Sequence, residues 1–261
     1  MTSAPPSAGR TSLACAGAIF LGAFLLFQVQ PIVAKAILPR YGGAPAAWPP
    51  RMLFSQTPLL GGYAYAHASA SRLKPRAQGI LHVVLLVAAL ATLPISPKPN
   101  EVAGAAEAPM MEILVLLLRA VAAPYFLLAS TSPLLQSWSS AGGGGSPYRL
   151  YALSNVGSML ALLSYPPLIE PFLSTRWQAW IWSLSFVVFA ILCFAAGWQS
   201  SKHPPLEEQP AGGDTAEAPP SLFSKLLWIG LAACASALML AITNHLTQDV
   251  ASIPFLWVLP L

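Results

Sequence analysis

The residues able to do chemistry in this chain sit in or beside long apolar runs, in four groups. The first is Gln28, Gln30 and Lys35, near the end of the first such run. The second is Gln56, Tyr63, Tyr65 and His67. The third joins Ser130, Thr131, Ser132 and Gln136 to Tyr148, Arg149, Tyr151, Ser154 and Asn155. The fourth is Thr243, Asn244, His245, Gln248 and Asp249. Amides, hydroxyls and phenols of this kind suit hydrogen bonding to a small polar ligand, or between helices in lipid. Neither role needs a catalytic acid and base. Glu170 is the remaining acidic candidate near a run. Arg119 stands inside LLLRAVAAPYF, where a charge at the bilayer centre costs about 2.5–3.5 kcal/mol on insertion scales and calls for a partner. Water or a shallower position would also meet that cost; Glu112, two turns earlier, could share its face without touching it, and Glu170, on another helix, is a candidate partner.

Catalytic and cofactor motifs are absent from the sequence. There is no G-x-S-x-G, H-E-x-x-H or Walker pattern. GGGGS at 142–146 follows no strand and precedes no lysine, so it reads as a turn. Cys15, Cys193 and Cys234 form no C-x-x-C or Cys/His cluster, so no metal is expected. No catalytic residue and no cofactor are expected.

The elements that must hold these groups follow from composition. The chain has 261 residues, 56% hydrophobic and only 8% charged, with mean hydropathy +0.62. A soluble domain usually carries about 25% charged residues, so a water-facing surface of ordinary composition is excluded. The expected fold class is all-α, a polytopic transmembrane bundle of seven spans with a truncated eighth. The lipid bilayer is its first partner. The net charge of +4 is spread over short loops and describes no nucleic-acid face.

The apolar runs predict spans at 12–33, 52–71, 79–95, 110–130, 148–169, 177–198 and 222–242, each near the ~20 residues a bilayer needs. Pro31 and Lys35 are expected to close the first, and the fourth continues toward Trp138. Residues 1–11 form a polar tail. Residues 12–198 hold six spans, and 199–220 form a charged, Pro/Gly-rich linker. Residues 221–261 hold the seventh span and the start of the truncated eighth. Gly62, Ala66 and Ala70 recur at spacing four, which predicts a close-packed, central second helix. Pro58, Pro124 and Pro166–Pro167 predict kinks or ends. The tryptophans, Trp182 included, read as an interfacial belt. Lys and Arg divide seven against five between the two sides, which favours a cytoplasmic N-terminus. The compact turn Arg72/Lys74/Arg76 points the same way.

Five segments share one resemblance. They are FLLFQVQPIVAKAILPRYGGAPAAW (24–48), GGYAYAH (61–67), APYFLLASTSPLLQSW (123–138), SPYRLYALSNVGSMLALLSYPPLIEP (146–171) and TNHLTQDVASIPFLWVLPL (243–261). Together, in order, they resemble the membrane domain of bacterial integral-membrane spermidine synthase-like proteins, a major facilitator-like region fused to a spermidine synthase domain. The most specific parts are YRLYALSN and DVASIPFLWVLPL. The resemblance implies a multi-pass module of the bacterial inner membrane, transporter-like for polyamine-related small molecules. It implies no catalysis in this chain, because the aminopropyl-transfer domain with its Gly-rich loop is not in it. Its expected substrate-binding residues are Gln28, Gln30, Tyr63, Tyr65, His67, Tyr148, Arg149, Tyr151, Asn155, Glu170 and Asp249. The alternatives are a structural anchor for a separate soluble aminopropyltransferase, or an inactive fragment. Pro49–Pro50, Pro58 and Arg119 depart from the family's pattern and predict disturbed packing there.

Overall fold

The computed structural model describes residues 13–41, 48–95, 109–141, 147–202 and 221–249. Those residues are all-helical: α1 (Leu13–Tyr41), α2 (Trp48–Arg72), α3 (Pro75–Leu90), α4 (Pro109–Ala141), α5 (Pro147–Ser164), α6 (Thr175–Lys202) and α7 (Leu222–Asp249). Five stretches are long and apolar enough to cross a membrane: Leu13–Ala36, Ile113–Trp138, Tyr148–Ile169, Thr175–Gln199 and Leu222–Met239. The helix α2 is long enough but too rich in Gly, Ala, Ser and Tyr, and α3 has only 16 residues. The expected tail, most of the linker (203–220) and the start of the eighth span lie outside the described residues.

The chain forms two compact units, Met1–Leu206 and Glu207–Leu261. The second holds α7. Its first turn is capped by Ser221, whose Oγ accepts from the Ser224 N–H at 3.1 Å. That bond satisfies one of the orphan donors of a helix start.

In the first unit α1 is the central helix, packing against α4, α5 and α6. The expectation for α2 is corrected. Gly62 and Ala66 do pack on α4, but Leu60, Tyr63, Ala64, His67 and Ala70 are exposed, so α2 lies at the edge. A helix apolar on every side, like α1, is the one that can be surrounded. The close contacts use glycine. A Cβ on Gly62 would stand 2.9 Å from Phe126 O on α4. One on Gly157 would stand 2.7 Å from Phe20 O on α1.

Prolines end fewer helices than expected. The helix α1 runs through Pro31 and Lys35 to Tyr41, and α4 runs through Pro124 and Pro133. Neighbouring helices tolerate the lost donor inside a bundle. Pro49 and Pro50 fall in the first turn of α2, where a missing N–H costs nothing. Pro166–Pro167 do change the geometry. The chain widens there into a π turn, Tyr165–Ile169, and the Glu170 N–H donates to Tyr165 O at 2.9 Å.

Trp182 is corrected from the interfacial belt to the core. It is 1% exposed, and its indole N–H donates to Leu25 O on α1 at 3.0 Å. Its ring stacks on Phe186 with centroids 5.6 Å apart. Trp177, Trp180, Trp198 and Trp228 are exposed, as an interfacial residue should be.

Candidate functional site

The most polar part of the interior is a seam where α2, α3 and α4 meet. Gln78 and His82 are four residues apart on α3 and therefore share a face. Both are buried. Gln78 Nε2 donates to Ser69 Oγ on α2 at 3.3 Å, and its Oε1 accepts from Trp138 Nε1 on α4 at 2.7 Å. One amide thus ties three helices. One turn on, His82 Nε2 lies 2.9 Å from Thr131 Oγ1. Thr131 already donates its proton to Leu127 O at 2.6 Å. His82 Nε2 must then carry a proton and donate it, which leaves Nδ1 as a lone-pair acceptor. Cys193 of α6 approaches the same threonine hydroxyl.

Two complementary atoms here have no partner: His82 Nδ1, an acceptor, and Tyr65 Oη, a donor. Their rings stand nearly parallel, with centroids 6.1 Å apart. Phe126 flanks Tyr65 at 5.5 Å and Trp138 meets His82 edge-on at 6.4 Å. The arrangement is an aromatic wall around one free donor and one free acceptor. Both atoms can hydrogen-bond a polar group. A buried polar atom without a partner costs about 1–3 kcal/mol. Tyr65→Phe is therefore expected to stabilise the ligand-free protein by about that amount, read as a higher unfolding temperature in detergent.

A second, smaller cluster lies between α1 and α4. Gln30 Nε2 donates to Tyr125 Oη at 3.1 Å. Phe54 of α2 packs on the Tyr125 ring at 6.2 Å, and the half-exposed Tyr63 is near enough to act on its phenol electrostatically. Gln28 is buried with Nε2 unpartnered. Two residues apart on a helix means about 200° of rotation, so Gln28 and Gln30 face different neighbours.

Glu170 pairs with Lys35, not Arg119. Lys35 Nζ is 3.7 Å from Glu170 Oε1 and donates to Glu170 O at 3.1 Å. This clips the end of α5 to α1. Below it, Tyr165 Oη donates to Gln178 Oε1 at 3.0 Å, and Gln178 Nε2 donates to Leu173 O at 2.8 Å. These bonds brace the π turn against α6.

The remaining candidates are not gathered into a site. Tyr148, Arg149, Tyr151 and Asn155 are exposed on α5, and His67 is exposed on α2. Asp249 ends α7, and its side chain lies outside the described residues. Four seam residues escaped the sequence reading as site members: Ser69, Gln78, His82 and Trp138. The available signal was the Gln–His spacing of four inside an apolar run.

Among the described residues no three His, Cys, Asp or Glu side chains come together as a metal site. A recess of about 290 Å³ lined by Phe194, Ala195, Trp198 and Gln199 is almost wholly apolar and includes none of the seam residues. No family model, curated protein or solved structure matches the chain.

Proposed function

We propose that the chain is the multi-pass membrane module of a spermidine synthase-like protein, transporter-like for polyamine-related small molecules. The observation that supports this reading is the unpartnered pair Tyr65 Oη and His82 Nδ1 inside its aromatic wall. A primary ammonium would donate one N–H to His82 Nδ1 and a second to a lone pair of Tyr65 Oη, since a phenol oxygen accepts as well as donates. The faces of Tyr65, Phe126 and Trp138 would favour its charge. The Lys/Arg asymmetry favours a cytoplasmic N-terminus in a bacterial inner membrane.

Radiolabelled putrescine and spermidine flux into proteoliposomes tests the reading. The expected result is saturable uptake above empty vesicles, reduced about tenfold by Tyr65→Phe, one lost charge-assisted bond of ~1.5 kcal/mol. No uptake with folded protein overturns it.

The anchor reading has its own support. Glu170 is the one acidic residue whose side chain is described, and Lys35 already holds it. Absent flux, together with co-purification of a soluble aminopropyltransferase, would put the anchor in place of the transporter.

A further inference from the structure

Arg119 is exposed in the apolar stretch Ile113–Trp138 of α4. Met111, Val115 and Leu118 are exposed around it, while Ile113, Leu116, Leu117 and Val121 are buried on the other side. The arginine therefore stands on the surface that meets lipid, among side chains that would not be left facing water. Glu170, the one acidic residue whose side chain is described, is held by Lys35. An unpaired guanidinium in hydrocarbon is costly.

Depth decides what it meets. The apolar stretch has 26 residues, about 39 Å of helix against a hydrocarbon core of about 30 Å. The far end is marked by Gln136, the exposed Ser137 and Trp138. Counting back about 20 residues from Leu135 puts the opposite boundary near Leu116. Arg119 then starts about 4.5 Å inside the core. Helical side chains lean toward the N-terminus, here the nearer boundary, and an arginine stem covers that depth.

We propose that Arg119 binds the phosphate of an anionic phospholipid headgroup on the exposed face of α4. The guanidinium fork matches two phosphate oxygens, and the neighbouring Val115 and Leu118 keep water from competing. The proposal is independent of what the seam binds.

Native mass spectrometry of the full chain with titrated phosphatidylglycerol and phosphatidylcholine tests it. The expected result is preferential phosphatidylglycerol retention, weakened about fivefold by Arg119→Leu, the size of one basic residue's attraction to an anionic surface. Arg119→Lys should keep most of the preference. Arg119→Leu puts an apolar side chain on a lipid-facing stripe, so folding is not at risk. Equal phosphatidylglycerol retention by wild type and Arg119→Leu overturns the proposal. So does displacement of the lipid by millimolar inorganic phosphate, which would make the site one for free anion. Glu112 lies two turns earlier on α4. If Glu112→Gln raises phosphatidylglycerol affinity, Arg119 is paired within the chain, and the proposal fails.

Discussion

Gly157→Leu is expected to detach α5 from α1. A Cβ at position 157 already meets Phe20 O at 2.7 Å and Ala23 Cβ at 3.4 Å. The first contact is backbone, so no rotamer change relieves it. Even Gly157→Ala forces the helices apart, at about 1–3 kcal/mol for overpacking. Leucine cannot be accommodated at that separation and should exceed this range. The helix α5 has little else to hold it. Only 17% of its apolar window is buried, its main partner is α1, and the half-exposed Lys35–Glu170 clip adds to that contact. Unfolding temperature in detergent gives the readout, at about 2–4 °C per kcal/mol for a chain of this size. Gly79→Ala and Gly230→Ala are the controls. Nothing lies within 4 Å of either added Cβ, so helix propensity alone predicts about 1 kcal/mol of stabilisation. A drop for the controls equal to that for Gly157→Ala would refute the contact argument.

Trp182→Ala is expected to be the most damaging side-chain truncation in the first unit. The indole fills a site that is 1% exposed. It stacks on Phe186, which packs on Phe189 with centroids 5.6 Å apart, and Phe189 closes on Gly22 of α1. Removing a buried Trp costs about 3–5 kcal/mol in water-soluble cores. In lipid the transfer part shrinks, because unpacked helices still face hydrocarbon. The lost packing and cavity terms remain, so about 3 kcal/mol is expected. Trp182→Phe keeps a ring but loses the bond to Leu25 O, about 1 kcal/mol, and leaves a smaller cavity than Ala does, so its loss falls between wild type and Ala. The ordering wild type, Phe, Ala in unfolding temperature checks this. Equal losses for Phe and Ala would mean that the N–H, not the packing, holds α6 to α1.

The helices were legible because apolar runs of 20 or more residues have one outcome in lipid. The expected 148–169 span matches α5 and its π turn together, and the expected ends elsewhere mostly fell short of the helices found. The prolines misled because propensities measured in water do not count neighbouring helices. Partners were less legible. Lys35 meets Glu170 across 135 positions, and His82 meets Thr131 across 49. No periodicity within one helix encodes either meeting. Tyr148, Tyr151 and Asn155, at i, i+3 and i+7, do share one face of α5, but that face is exposed and meets no neighbouring helix, and Arg149 is rotated away from it. His82 carries no adjacent charge in the sequence to draw attention, although it is the best-buried histidine among the described residues.

The shortness of α3 bears on the surrounding lipid. Sixteen residues give about 24 Å of helix, some 6 Å less than a typical hydrocarbon core. After Leu90 the chain leaves helical geometry and turns inward. Ile95 is 2% exposed, and its N–H donates to Ser183 Oγ at 3.3 Å. Protein, not lipid, satisfies the backbone there, as non-helical chain at membrane depth requires. If α3 crosses the bilayer, the bilayer beside it must thin or flanking side chains must reach to the interface, at a fraction of a kcal/mol per Å of mismatch. Since α3 carries Gln78 and His82, such a mismatch would make the acyl-chain length of the host membrane a mechanical input to the seam.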